Sequence, residues 1–261
     1  MSRDITLASP VPADQRHCYG EDASQFFDLF LPASKSGTKP EGFALGFVLM
    51  IHGGFWRAKY DLAHASHLCA AFATAGIATA NLEYRRCGNG GGWPATFHDL
   101  GAGLAAARKH FAAAPVCVVL GHSAGGHLAL RLAAAGSDIA SDIMGVVALA
   151  PVADLQVAYD LHLSNDAVVE FLGGTPAEEP EAYVDADAAR HTSTIPRTLI
   201  HGTHDDVVPI ALSRSFIRQR AADQGKVELI ELPDAGHFDL IDPGSQAWPT
   251  VLDRVGKLLQ D

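Results

Sequence analysis

Cysteine is scarce in this chain of 261 residues, which contains four copies: Cys18, Cys69, Cys87 and Cys117. No two of them have the C-x-x-C spacing that is typical of structural zinc sites and redox motifs. Four cysteines are also too few for a disulfide framework in a chain of this length. We therefore expect neither a metal nor another cofactor, and we expect the thiols to stay reduced.

The sequence also contains few basic residues and lacks long hydrophobic runs. The 19 Lys and Arg residues face 30 Asp and Glu residues, which gives a formal net charge of −11. A negative chain repels phosphate backbones, so we expect no nucleic-acid partner. No stretch reaches about 18 apolar residues and the first residues contain no apolar signal segment, so the sequence predicts neither a membrane span nor secretion. A cytoplasmic protein with a small-molecule substrate fits these absences.

Apolar residues make up 48% of the sequence, and their pattern predicts one α/β domain over residues 1–261. Short apolar runs predict buried strands at residues 46–51, 76–82, 116–120, 144–150, 198–200 and 227–232. Between these runs, apolar residues recur at three- and four-residue steps, as in helices that cover a sheet. The alternation predicts a mostly parallel central sheet with helices on both faces. Residues 25–31 predict an antiparallel edge strand, and the long connection 151–196 predicts a small lid-like insertion.

The run G-H-S-A-G-G at residues 121–126 contains the pattern G-x-S-x-G between a predicted strand and a predicted helix. In this position the pattern is typical of a tight strand-to-helix turn that lifts a serine hydroxyl out of the sheet. The glycines leave room for the strained backbone of the serine. We therefore interpret Ser123 as a nucleophile, the alternative being an ordinary serine that caps the helix.

A serine nucleophile needs a base to take its proton, and the base needs an acid that orients it. The best candidates are Asp205 and His237, which follow the last two predicted strands. Loops at the carboxyl ends of strands are where open parallel sheets place their sites. The chain order Ser, Asp, His is also the order that a G-x-S-x-G nucleophile takes with its partners.

Asp206 is a rival for the acid because it directly follows Asp205. We prefer Asp205, since it is the acid in the pattern G-x-x-D-x-x-V-P that ends at Pro209. Under this interpretation Asp206 caps the following helix. His201 and His204, in the same run, are then structural residues.

Acyl transfer also needs backbone N–H donors for the oxyanion that forms in the reaction. The run H-G-G-F-W at residues 52–56 follows the first central strand, and its glycines let N–H groups turn inward. We expect the donors at Gly54, Phe55 and Ala124, and we interpret His52 as a brace for the loop. The alternative is a plain Gly-Gly turn.

These motifs resemble those of the α/β-hydrolase superfamily, in the group of serine esterases with an HGG-type oxyanion loop. The run H-G-G-F-W is similar to the H-G-G-x-W of the kynurenine formamidase (arylformamidase) and small carboxylesterase families, and the resemblance extends over residues 46–238. It implies the α/β-hydrolase fold and a serine hydrolase that cleaves small carboxylic esters or aryl formamides through an acyl-enzyme. Phe55 departs from the more common H-G-G-G loop. The connection 151–196 is shorter than a large lid domain, which argues against an interfacial lipase.

Two other functions stay open at this stage. A peptidase of the prolyl oligopeptidase-like group would use the same residues, although it usually needs an extra domain to control access. A non-catalytic ligand-binding protein on the same fold would reuse the pocket. The edge strands and the C-terminal helix also leave room for a homodimer.

Aromatic residues flank the predicted machinery in the sequence at Phe55, Trp56 and Phe238, and Trp93 in the loop 87–94 is a further candidate. We expect them to line the substrate pocket and to favour an aromatic or apolar ester or an aryl amide. The alternative for Trp56 and Trp93 is that they fill the core. Arg85 and Arg86 follow the second central strand, where one of them faces a substrate carboxylate or both form structural salt bridges.

Overall fold

One eight-stranded sheet organises the part of the chain that the structure describes. The structure is a computed structural model that describes residues 5–33, 46–114, 116–134, 137–223 and 226–260. The strands are β1 (Gln15–Cys18), β2 (Phe26–Phe30), β3 (Phe47–Ile51), β4 (Thr79–Leu82), β5 (Cys117–His122), β6 (Ile143–Leu149), β7 (Arg197–Gly202) and β8 (Val227–Leu232). Their order is β1-β2-β4-β3-β5-β6-β7-β8, and every pair from β4 onward is parallel. The predicted mostly parallel sheet is confirmed.

Helices cover both faces of this sheet, as predicted. They are α1 (Ser66–Thr74), α2 (Ala95–His110), α3 (Ala124–Ala133), α4 (Ser137–Ala140), α5 (Leu155–Asp160), α6 (Ala167–Leu172), α7 (Pro180–Ala186), α8 (Ala211–Gln219) and α9 (Trp248–Leu258). Short 3-10 helices occupy Ile5–Leu7, Leu62–Ala65, Ala188–Arg190 and Phe238–Ile241. Helices α1 and α9 pack on one face, and α2, α3 and α8 pack on the other. Among the described residues, no helix has the length and apolar character needed to cross a membrane.

Strand β3 shows why the central strands read as continuous apolar runs. Its side chains alternate between two cores: Phe47, Leu49 and Ile51 pack with α2 and α3, whereas Val48 and Met50 pack with α1 and α9. All five are fully buried. Since helices exclude water from both faces, neither set of alternating positions needs to be polar.

The antiparallel edge differs from its prediction in one respect. The predicted strand at residues 25–31 forms as β2 and is antiparallel to β4, but it is not the edge. The edge is β1, which pairs with β2 and has the polar sequence QRHC. Arg16 on β1 binds Asp28 on β2 at 2.6 Å. A solvent-facing edge strand needs no apolar run, so hydrophobic patterning gives no signal for it.

The long connection 151–196 folds into α5, α6, α7 and the 3-10 helix Ala188–Arg190. Phe171 and Tyr183 from this insertion join the core on the α3 side of the sheet. Two buried carboxylates start its helices. Asp154 accepts a hydrogen bond from Val157 N at 3.0 Å, and Asp187 accepts one from Ala189 N at 3.1 Å. Capping of this kind satisfies backbone donors that the first turn leaves free.

Candidate active site

Ser123 lies in the turn between β5 and α3, with φ 57° and ψ −120°. A positive φ is uncommon for a residue with a side chain, and here it is imposed by close backbone contacts. A Cβ on Gly121 would lie 2.2 Å from the carbonyl oxygen of Gly125. A Cβ on Gly125 would lie 2.1 Å from the carbonyl oxygen of Ile51. The glycines of the G-x-S-x-G pattern are therefore required by packing, and the strained turn that they permit is the one predicted.

His237 and Asp205 come together at the carboxyl end of the sheet. His237 Nδ1 lies 2.7 Å from Asp205 Oδ2, and the Asp205 side chain is fully buried. The other carboxylate oxygen accepts hydrogen bonds from Val207 N at 2.9 Å and Val208 N at 2.7 Å. The carboxylate is thus fixed in orientation on both sides. With Nδ1 occupied, the free nitrogen of the His237 ring is Nε2.

The carboxyl of Asp205 stays ionised in this setting. Burial alone would raise its pKa, but hydrogen bonds from His201 and His237 oppose that effect. The charge of His237 and the N–H of Val208 act in the same direction, so the pKa of Asp205 lies well below its usual range. A buried carboxylate that remains charged can stabilise an imidazolium beside it.

Asp206, the sequence rival, is exposed and plays no part in this contact. The prediction that it caps the following helix is wrong, because α8 begins after Ile210 as its N-cap. The N–H groups that follow are bonded by Asp205 instead. His204 is also exposed, with Nδ1 at 3.5 Å from Asp234 Oδ1.

The loop at residues 52–56 lies directly against Ser123. A Cβ on Gly53 would come within 2.9 Å of the Cβ of Ser123, so only a glycine fits there. Gly54 has φ 109° and Phe55 has φ 51°. On the other side of Ser123, Ala124 is the first residue of α3, where backbone N–H groups have no partner inside the helix. The predicted donors therefore belong to two backbone segments that meet at the serine.

His52 holds this loop in place through both of its ring nitrogens. Nδ1 lies 2.7 Å from the Gly53 carbonyl oxygen, and Nε2 lies 3.0 Å from Glu83 Oε1. The ring stacks on Tyr84 at 4.5 Å, and the Tyr84 hydroxyl donates to the His52 carbonyl at 2.7 Å. Because both nitrogens are occupied, the geometry agrees with a brace and leaves His52 no capacity to act as a base.

A cavity of about 520 Å³ opens above the serine. It is lined by Gly54, Phe55, Lys59, Tyr60, Asp61, Ala63, His64, His122, Ser123, Val207, His237 and Phe238. The predicted nucleophile, the predicted base, two predicted donors and one predicted pocket residue thus share one cavity. None of the described residues in 151–196 lines it, although the sequence predicts a lid-like role for that segment.

Trp56 and Trp93 do not line this cavity, so the predicted role for them in binding substrate is wrong here. Trp56 is fully buried and stacks on Phe171 at 4.5 Å. Trp93 packs against Phe97, and its Nε1 donates to Asp185 at 3.1 Å. The physical reason for Trp56 is that its ring is packed into the core between the sheet-covering elements and not toward the cavity. Trp56 follows the core-filling alternative, and Trp93 is half-buried and packs against the same core.

His122 and His64 are cavity residues that sequence reasoning did not single out. The His122 ring lies 4.5 Å from the His237 ring, and its Nε2 lies 3.2 Å from the His237 carbonyl oxygen. Burial, together with His237 and His64, holds the pKa of His122 well below its usual value. Burial and nearby His52 lower the pKa of His64 to about 4. Both rings are therefore neutral near pH 7. The position of His122 inside the serine motif is the signal that could have identified it.

Arg85 and Arg86 form structural salt bridges, which is the second of the two roles predicted for these arginines. Arg85 binds Asp99 with two nitrogens, at 2.8 and 2.6 Å. Arg86 lies 3.2 Å from Glu83, the residue that also holds His52. Neither guanidinium lines the cavity.

Solved structures similar to this chain share its fold. A truncated carbohydrate esterase from gut microbiota has a TM-score of 0.79 and 22% identity, with 97% of this chain and 100% of that chain covered. Esterase B from Lactobacillus rhamnosis, solved with a bound inhibitor, has a TM-score of 0.78 and 19% identity, over 98% and 91%. At this level of identity the likeness shows the fold alone, which is the α/β-hydrolase fold.

Curated relatives are similar in sequence over part of their length. Esterase LipC of Mycobacterium tuberculosis is 29% identical over 274 residues, which covers 91% of this chain and 62% of LipC. Esterase LipQ of the same organism is 29% identical over 221 residues, covering 74% of this chain and 50% of LipQ. The chain therefore spans less than two thirds of these relatives. The BD-FAE family model matches residues 27–219, which is well over half of the sequence. The chain belongs to the BD-FAE family.

Proposed function

We propose that the protein is a serine hydrolase that cleaves small carboxylic esters through an acyl-enzyme. The observation that carries the proposal is that His237, which is oriented by the buried Asp205, lines the same cavity as a serine on a strained strand-to-helix turn. The relatives LipC and LipQ, both named esterases, support the same reaction.

The reaction begins at the hydroxyl of Ser123. His237 accepts its proton at Nε2 while Oγ attacks the ester carbonyl carbon. Asp205 holds the opposite nitrogen and stabilises the imidazolium, which keeps the ring in the required tautomer. His237 then donates the proton to the leaving alcohol as the tetrahedral intermediate collapses. Water activated by the same ring hydrolyses the acyl-enzyme and regenerates the serine.

The oxyanion of each tetrahedral intermediate is bound by backbone N–H groups. Gly54 and Phe55 supply donors from the loop, and Ala124 supplies one from the start of α3. Such donors are fixed before the reaction and need no reorganisation as charge develops on the oxygen. Removal of one donor from sites of this kind typically costs about 100- to 1,000-fold in kcat.

The cavity favours small substrates with an apolar or aromatic acyl group. Its volume of about 520 Å³ suits a small molecule, and Phe55, Tyr60 and Phe238 supply aromatic walls. Aryl formamides are the second candidate class. Two observations favour them: the H-G-G-F-W run, and the opposite charges of Lys59 and Asp61 on the cavity wall, which match a formamide bearing an amino-acid group.

The test is turnover of p-nitrophenyl esters of increasing chain length, measured alongside N-formylkynurenine. We expect short esters to be hydrolysed and Ser123→Ala to abolish turnover and labelling by a fluorophosphonate. Ser9→Ala, at an exposed serine away from the cavity, is the control and keeps the wild-type rate. Retention of activity in Ser123→Ala would refute the proposal. Preference for the formamide over all esters would assign the second substrate class.

A further inference from the structure

The loop that carries the proposed oxyanion donors is strained at two successive positions. Phe55 has φ 51° and Trp56 has φ 57°, and both residues have a side chain. Residues with a Cβ avoid this region, so the conformation persists only where the surrounding structure enforces it. The neighbours that enforce it therefore also fix the direction of the Phe55 N–H.

Trp56 makes the first set of contacts that hold the loop in this conformation. Its ring is fully buried and stacks on Phe171 of α6, with centroids 4.5 Å apart and planes within 12°. The His127 ring lies perpendicular to it, with the ring centroids 5.3 Å apart. Its carbonyl oxygen accepts a hydrogen bond from Cys87 N at 2.8 Å. Because the ring is enclosed in a close-packed core and contacts Phe171 and His127, it resists a rotation of the loop.

Arg57 makes the second set of contacts, and these also involve helix α6. Its Nε donates to Glu170 of α6 at 2.6 Å, and its Nη1 donates to the Ser164 carbonyl at 2.8 Å. Its Nη2 donates to the Asn165 carbonyl at 3.2 Å. The planar guanidinium thus binds three residues in a fixed geometry, which a lysine cannot reproduce.

We infer that Arg57 and Trp56 are positioning residues. Through them, helix α6 holds the loop 52–56 in place and fixes the direction in which the Phe55 N–H points toward the oxyanion. The inference rests on the proposed function. It gives the insertion a role other than covering the cavity, which agrees with the absence of its described residues from the cavity lining. Arg57 does not line the cavity, so we expect its contribution to appear in transition-state binding through the Phe55 N–H.

The experiment compares Arg57→Met with the wild type on a short p-nitrophenyl ester and on a trifluoromethyl ketone. The ketone adds reversibly to Ser123 and forms a tetrahedral oxyanion without turnover. We expect kcat to fall about 10- to 100-fold, a fraction of the effect of a lost donor, with KM within about twofold. We expect the ketone to bind more weakly by the same factor. Arg57→Lys keeps the positive charge but loses the planar set of N–H donors. We expect its kcat and its affinity for the ketone to lie between those of the wild type and Arg57→Met.

Arg214→Met is the matched control, because it removes an exposed two-point pair between Arg214 and Glu231 that lies away from the cavity. It should leave kcat, KM and ketone affinity unchanged. If Arg57→Met does not fold, Glu170→Gln replaces it, with a loss of about 3- to 10-fold and the same division between kcat and KM.

The outcomes separate this inference from the proposed function. A folded Arg57→Met with wild-type kcat and wild-type ketone affinity would overturn the inference while leaving the esterase intact. So would a loss confined to KM, since that points to ground-state binding. A wild-type protein without turnover and without labelling of Ser123 would refute the proposed function, and the inference with it.

Discussion

Asp205 and Asp206 are adjacent in the sequence, yet their surroundings give them different chemistry. Asp205 is enclosed, binds His237 and accepts two backbone N–H groups. Asp206 is exposed. An exposed carboxylate is screened by water and adds little to a neighbouring imidazolium, whereas an enclosed one acts at short range in a medium of lower dielectric constant.

This contrast leads to a prediction for the two isosteric variants. Asp205→Asn keeps the shape of the side chain but removes the charge and favours the wrong tautomer of His237. We expect kcat of ester hydrolysis to fall by about 10⁴-fold, the effect measured for this change in a serine protease. Asp206→Asn is the control and should stay within about twofold of the wild type, since exposed charges have small effects. Similar losses in both variants would reassign the acid.

At the scale of elements, strands β3 to β7 are predictable because burial on both faces leaves a plain apolar signature. Strand β8, at the other edge of the sheet, is only partly buried and keeps apolar residues at the ends and middle of its run. The strands β3 to β8 all coincide with predicted runs to within a few residues. Strand β1 is missed because its stability comes from pairing with β2 and from the Arg16–Asp28 contact, which no hydrophobic pattern records. Trp56 is misassigned because its ring packs on Phe171, a contact between residues that are far apart in the sequence.

The candidate site is predictable to a similar extent, and for related reasons. Backbone geometry dictates glycine at fixed positions, so the serine turn and the loop at 52–56 are visible in the sequence. The sequence does not reveal that the cavity wall contains Lys59, Tyr60 and Asp61. The position of this wall depends on how the segment after the loop folds back over Gly54. Contacts of this kind arise only in three dimensions.

The insertion carries a pH-dependent element in Asp187, which starts its 3-10 helix. Burial, followed by the charge of Asp154, raises the pKa of Asp187 to about 6. Unfolded aspartate titrates near about 3.9, so between these values the folded protein binds more protons than the unfolded chain. The contribution of Asp187 to stability is therefore present at low pH and is lost as pH rises from about 4 to about 6.

The substitution Asp187→Asn tests the predicted direction of this pH dependence. The amide can still accept the helix-capping hydrogen bonds but never ionises. We expect the free energy of unfolding of the variant, relative to the wild type, to increase by about 1–3 kcal/mol between pH 4 and pH 7. Urea unfolding at several pH values measures it. Asp185→Asn, at a residue of the same insertion whose side chain is 56% exposed, is the control. A relative stability that is flat with pH would contradict the assignment.

At the scale of the whole molecule, the net charge of −11 acts on every approaching ligand. The two charged side chains on the cavity wall, Lys59 and Asp61, oppose each other, so the long-range field is set by the rest of the surface. Anionic substrates are repelled at distances up to the Debye length, which shrinks from about 30 Å to about 8 Å between 0.01 M and 0.15 M salt.

We therefore expect salt to change substrate preference. The value of kcat/KM for a p-nitrophenyl ester with a terminal carboxylate should rise severalfold, relative to a neutral ester of equal length, between these two salt concentrations. The neutral ester is the internal control because its encounter rate is not steered. A ratio that does not change with salt would show that the surface field does not reach the cavity.

The close approach of Gly53 and Gly125 to their neighbours limits how the protein can change. Any side chain added at Gly125 meets the Ile51 carbonyl at 2.1 Å, and one added at Gly53 meets Ser123 at 2.9 Å. Neither position can therefore accept a side chain unless its neighbours shift. We expect changes in substrate preference, in nature or in a mutant library, to arise instead at cavity-lining residues that are exposed, such as Lys59.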